Sequence, residues 1–306
     1  MRALLLLVAV AGCYREATPA SAPPPANKQQ PLVAPRDVDD ELSFLPKESE
    51  LVFGFDMTTL RTSAAWREQI EPALAASSAL EKTRKLCGFD PLASITHLSI
   101  GARKADAGNE LVFTLAGGDA QQQIGCLTKQ LDGDYAAQPA GDVTLITKKQ
   151  DTFALALAPV GRQHILGVSA PGVDAKRVRA QAAIGSPLRA SPAFMNLYDK
   201  LERGASVWFV LNGASPMFQS FSLGVRPRYI DGTIVITDRY VWTTRITMET
   251  PADASQLATM FRGAANQVKQ MVETLEIRED GEVLHVDVVL TQPQVQTILA
   301  LLGTMI

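Results

Sequence analysis

The sequence predicts an α+β protein built from two similar units, each a mainly antiparallel sheet with helices packed on one face. Three observations carry this. Two continuous apolar runs, Leu51-Val52-Phe53-Gly54-Phe55 and Val207-Trp208-Phe209-Val210-Leu211, have the length and content of strands buried on both sides. Other stretches alternate: Tyr240, Trp242, Thr244, Ile246 and Met248 fall on one side of a single run, as in a half-buried strand. Helical patterns stand between groups of strands, and the order of elements in the first half is repeated in the second, which implies antiparallel sheets and an internal duplication.

Composition sets the outer bounds. The chain of 306 residues is 46% hydrophobic and 20% charged, ordinary for a globular protein long enough to split into two domains. Its formal net charge of −3 is not that of a nucleic-acid binder or of a protein held on anionic lipid by charge.

From residue 42 the elements follow in order. The strand at 51–55 is followed by Asp56, Thr58 and Thr59, which cap a helical region carrying Leu60, Trp66 and Ile70. An Ala-rich helix over 72–86 leads to Cys87 and the turn Gly88-Phe89-Asp90-Pro91. Strands are expected at 95–102 and 110–116, and Asp119 caps a helix reaching to about residue 131. Three more strands, at 143–147, 152–158 and 164–168, precede a helix over 173–183. Gly185-Ser186-Pro187 marks the boundary, so the units are read as 42–184 and 185–306.

The second unit opens with Ser191-Pro192, a cap and a first-turn proline for a helix with Phe194, Leu197, Tyr198 and Leu201 on one stripe. The strand 207–211, a short segment at 216–223 and strands at 234–237 and 240–249 come next. Thr250, Pro251 and Asp253 form a capping box for the longest helix, whose apolar residues keep a 3–4 spacing from Leu257 to Leu275. Residues 279–282 form a hairpin turn between strands 276–278 and 283–290, and Thr291, Pro293 and Gln294 start a final helix.

The N-terminus has a different character. Leu4 to Cys13 reads LLLLVAVAGC, preceded by Arg2; it is too short to span a bilayer but fits the apolar core of a signal peptide. Residues 14 to about 40 carry Pro19, Pro23, Pro24, Pro25, Pro31 and Pro35 among Ala, Ser, Thr and Gln, without apolar periodicity. That is the composition of an extended tether. Val10-Ala11-Gly12-Cys13 resembles the lipobox of bacterial lipoproteins. The resemblance implies removal of a signal peptide, residues 1–12, and a diacylglycerol thioether on Cys13, with 13–41 as the tether. Tyr14, where an Asp would favour inner-membrane retention, implies the outer membrane of a Gram-negative envelope. The stretches PKESELVFGFDMTTL and SPAFMNLYDKLERGASVWFVLN resemble uncharacterised secreted or lipid-anchored bacterial proteins with paired α+β units, a likeness that supplies no catalytic residues.

With Cys13 acylated, Cys87 and Cys126 are the remaining cysteines. In an oxidising compartment they are expected to form a disulfide; the alternative is two buried free thiols. Neither belongs to a CxxC spacing, so no metal site is expected. No GxSxG elbow, P-loop, HExxH or EF-hand loop occurs, so neither catalysis nor a cofactor is expected. His97, His164 and His285 all fall in strands. His285 and Asp287 share a face, as an acid–base pair or, more plainly, as the solvated side of a strand. Arg226, Arg228, Arg239 and Arg245 surround one hairpin and form an anion groove only if they converge. The chain thus reads as a non-enzymatic binding or interaction module of the cell envelope, its partner an unidentified envelope protein. The alternative is a periplasmic carrier of an apolar ligand, held in a groove between sheet and helices lined by Trp208, Trp242, Met260 and Phe261.

Overall fold

The computed structural model describes residues 41–105, 108–131, 133–149, 154–183, 187–213, 215 and 225–303. The signal-peptide and tether assignments up to residue 40, Cys13 and Tyr14 among them, lie outside these residues. So do Gly185, Ser186 and the segment 216–223.

In chain order, a 3-10 turn (Glu41–Phe44) leads to β1 (Leu51–Asp56), α1 (Met57–Thr62) and a π-helical turn (Trp66–Ile70). A helical turn (Glu71–Ala75), α2 (Ser78–Cys87) and another short turn (Pro91–Ser94) precede β2 (His97–Ala105) and β3 (Gly108–Ala116). Then come α3 (Ala120–Gln130), β4 (Tyr135–Ala140), β5 (Val143–Lys148), β6 (Ala154–Val160), β7 (His164–Ser169) and α4 (Ala175–Ala183). Finally come α5 (Pro192–Tyr198), β8 (Val207–Asn212), β9 (Pro227–Ile236), β10 (Arg239–Met248), α6 (Pro251–Val268), β11 (Thr274–Asp280), β12 (Val283–Thr291) and α7 (Gln292–Gly303). The registered strand pairs are antiparallel, and the fold is α+β.

The helix starts follow the capping residues. The Asp56 carboxylate accepts from the N–H groups of Thr58 and Thr59, Asp119 from Gln122, Ser191 from Phe194 and Thr250 from Asp253. The Ala-rich stretch does not form one helix. It breaks at Ala76-Ser77, where Ser77 turns extended and caps α2 with its own hydroxyl. The long helix also stops earlier than its apolar spacing suggests, at Val268, because residues 274–280 are claimed by the hairpin with β12. Strand β4 carries a proline and no long apolar run, and the periodicity gave no sign of it.

The compact units do not follow the halves read from the sequence. Among the described residues, one unit takes 41–46, 72–96 and those between 105 and 187; the other takes 47–71, 97–104 and those from 188 on. The reason is strand pairing. β1 lies between β2 and β8, with Phe53 opposite Ile100 on one side and Phe209 on the other, so an early strand is built into the later unit's sheet.

In the first unit the strand order is β3-β7-β6-β5-β4. Val112, Val143, Val160, Leu166 and Val168 are fully buried. Helix α4 is tied down by its polar side chains. Arg177 forks onto the buried carboxylate of Glu110 at 2.8–3.0 Å, Arg179 holds Asp142 at 2.8 Å and the carbonyl of Ala140 at 2.6 Å, and Gln181 donates to the carbonyl of Phe44 at 2.6 Å. A disulfide joins Cys87, at the end of α2, to Cys126 in α3, with Cα atoms 5.1 Å apart.

In the second unit the order is β11-β12-β10-β9-β8-β1-β2. Helix α6 packs Ala254, Leu257 and Ala258 on Ile246, Met248 and Leu284. Helix α5 lies on the opposite face: Tyr198 meets the edge of Trp208 at 4.9 Å, and the register puts Trp208 with Thr233 and Thr243, away from Ile246. Helices therefore cover both faces of this sheet, where a single covered face was expected.

Candidate functional site

The second unit gathers most of the residues singled out from the sequence, and strand parity sorts them. Trp208 pairs with Thr233, whereas Trp242 pairs with Ile234, the next residue of β9, so the two indoles point to opposite faces. Trp208 is 9% exposed and fills the place above Gly54, where a Cβ would run into its indole ring. Trp242 is 42% exposed, stands edge-on to Phe209 at 6.4 Å, and shares its face with the α6 cluster, against which Phe261 is packed. Met260 is exposed to the same degree on the outer side of α6. The four proposed lining residues do not enclose one groove.

A different groove exists in this unit. It has a volume of about 310 Å³ and lies between α5, the segment 47–50 and the ends of β8 and β9. Phe194, Leu197 and Val210 form its apolar part; Lys47, Glu50, Ser191 and Tyr229 supply polar groups. Its size is at the small end of ligand pockets. Glu50 is held in place by the Ser215 hydroxyl, and Glu48 by Arg103 at 2.8 Å. The groove was not read from the sequence, because 47–50 and 191–197 are far apart along the chain and carry no shared motif.

His285 and Asp287 do point to one face of β12, and that face is a row of charges. His285 sits opposite Arg245 on β10 and Arg278 on β11, and Arg278 reaches diagonally to Asp287 at 2.6 Å. At the buried end of the row Arg245 grips Asp231, which is 1% exposed, and also donates to the carbonyls of Leu197 and Lys200 at the end of α5. Burial pushes the Asp231 carboxyl above the ordinary aspartate range; Arg245, Lys200 and His285 pull it back only in part. The partners of His285 and Asp287 are thus cations and carboxylates of a ladder that fastens α5 to the sheet.

The other arginines do not converge. Arg228 pairs with Glu282 at 3.2 Å and lies over the Tyr229 ring, Arg239 pairs with Glu273 at 3.0 Å, and Arg226 is exposed. His97 lies 3.9 Å from Asp56, a carboxylate already occupied as the cap of α1. Among the described residues no group of three or more His, Cys, Asp or Glu side chains is placed to hold a metal, and no helix is long and apolar enough to cross a membrane.

No family model matches this sequence, and no curated protein matches it. Solved structures do. The chain is similar to TP0453 in crystal form III, at TM-score 0.58 and 8% identity over 86% of this chain and 99% of that one. Crystal form IV of TP0453 gives 0.55 and 9%, covering 85% and 96%, and crystal form I gives 0.51 and 11% over the same shares. At such identities the likeness is one of fold.

Proposed function

We propose that the chain is a lipid-anchored protein of the bacterial cell envelope, attached to the outer membrane by a diacylglycerol thioether on Cys13 and acting as a non-enzymatic binding or interaction module. The observation that carries this reading is the division of labour among its cysteines. Cys13 directly follows Val10-Ala11-Gly12, and the other two, Cys87 and Cys126, are bonded to each other. Disulfides persist in oxidising compartments outside the cytosol, so the bonded pair supports export, and the small residues before Cys13 support its acylation. The residues after Cys13 then act as a spacer between membrane and folded body.

The test is metabolic. Cells expressing the full chain are fed labelled palmitate and fractionated. Label on the wild type and none on Cys13→Ser, with the wild type in the membrane fraction, supports the anchor. An unlabelled wild type in the cytosol refutes it.

A second reading, carriage of an apolar ligand, has the half-exposed Trp242 beside the α6 cluster in its favour. A fluorescent fatty acid that binds the purified protein, and loses that binding in Trp242→Ala, would favour carriage over protein–protein interaction.

A further inference from the structure

A strand at the rim of a sheet presents unpaired backbone groups to any other rim strand, its own copies included. Among the described residues, β4 stands at one end of the strand order in the first unit and β11 at one end in the second. The register shows which of their backbone groups face outward.

In the β4–β5 hairpin, Lys149 N–H donates to the carbonyl of Asp134 at 2.8 Å, and these residues continue the register in which Tyr135 faces Lys148. Bonded and non-bonded pairs alternate along an antiparallel ladder. Ala136, Gln138 and Ala140 therefore bond to β5, while the backbone of Ala137 and Pro139 is turned outward. Proline has no N–H, so an outward donor is removed at the exposed end of the strand.

For β11 the reasoning runs through its neighbour. Met248 N–H donates to the carbonyl of Glu282 at 2.9 Å, so the even-numbered residues of β12 bond to β10 and the odd-numbered ones to β11. That leaves Leu275, Ile277 and Glu279 facing outward. Arg262 of α6 reaches over this rim: one guanidinium nitrogen donates to the Ile277 carbonyl at 3.3 Å, the other to the Glu279 carboxylate at 2.6 Å, and Ser255 donates to the second carboxylate oxygen at 2.7 Å. Glu276, Arg278, Glu279 and Asp280 add charge along the same strand.

We infer that Pro139 and Arg262 are edge blockers that keep copies of this chain from pairing strand to strand. The two rims are closed by different chemistry, one by a missing donor and the other by a side chain seated on an outward acceptor. The inference is independent of the lipid anchor, although crowding on a membrane would make such protection valuable.

The test uses the full chain carrying Cys13→Ser, so that acyl chains add no association of their own. By sedimentation this background should run at the mass of one chain at all concentrations. Pro139→Val, which restores the donor, should gain mass with rising concentration, and the Ala137 amide should exchange more slowly with solvent as it does so. Pro139→Lys restores the same donor but adds a rim charge, and should stay at one chain. Arg262→Ala should associate with slowed exchange at Ile277. Far-UV circular dichroism identifies the variants that have kept their fold. The inference is overturned if folded Pro139→Val and Arg262→Ala stay at one-chain mass, or if they associate with no slowing at Ala137 or Ile277. Association of the unaltered background with Ala137 already protected would overturn it too.

Discussion

At the level of single residues, the Asp231–Arg245 pair has the largest predicted effect. Both lie under α5, so removing the cation strands a buried carboxylate. Arg245→Met is expected to cost about 3 kcal/mol at neutral pH, read from urea denaturation midpoints. The sign of its pH dependence follows from Asp231, whose folded pKa is raised by burial. A raised carboxyl favours folding when protonated and loses that contribution as pH rises through the folded value. The penalty of Arg245→Met should therefore shrink on going from neutral pH to about pH 4.

Asp90 runs the other way. Burial pushes its carboxyl up, but the Arg84 guanidinium and the N–H groups of Ala93 and Leu92 outweigh burial and hold it below the ordinary aspartate value. Its contribution is present above that value and lost as pH falls through the folded one. Asp90→Asn should flatten part of the stability lost on acidification. Gly54 is a matter of space instead: a Cβ there runs into the Trp208 ring. Gly54→Ala should cost about 1–3 kcal/mol and shift the tryptophan emission, since the indole must leave its seat between Tyr198 and the strand.

At the level of elements, the disulfide and the caps govern local order. The Cys87–Cys126 bond closes a loop of 39 positions between α2 and α3. On the chain-entropy model, replacing both with Ala should lower unfolding stability by about 4 kcal/mol. Reduction of the wild type should have the same effect on the urea midpoint. Thr250→Ala removes the hydroxyl that accepts from Asp253 N–H at the start of α6 and should cost about 1 kcal/mol.

These elements also show how much of the fold was legible. The caps Asp56, Asp119, Ser191 and Thr250 were readable because capping acts over three or four residues, within reach of sequence pattern. Strand β4 was not. Its Tyr-Ala-Ala-Gln-Pro-Ala run has little apolar character, and only its ladder with β5 makes it a strand. The end of α6 was missed for a related reason: helical spacing continues to Leu275, but Leu275 is paired with Val288 across the hairpin.

At the level of the whole molecule, the proposed acylation of Cys13 carries one expectation: membrane fractionation that depends on Cys13, and a body that stays folded when released. If 14–40 is a tether, cleavage there by a protease should free a fragment with the unfolding midpoint of the intact protein, because that segment carries no apolar pattern with which to join the core. A released fragment of lower stability would show that the tether contributes to the fold.

The α+β class and the helix starts were written in local chemistry: short apolar runs, alternation and capping residues. Site geometry was not. That Trp208 and Trp242 face opposite ways, that β1 joins the later unit's sheet, and that His285 belongs to a charge ladder ending at Asp231 all depend on register between strands distant in sequence. A one-residue shift in pairing reverses the face of every side chain, and that choice is made by the packing of the finished sheet.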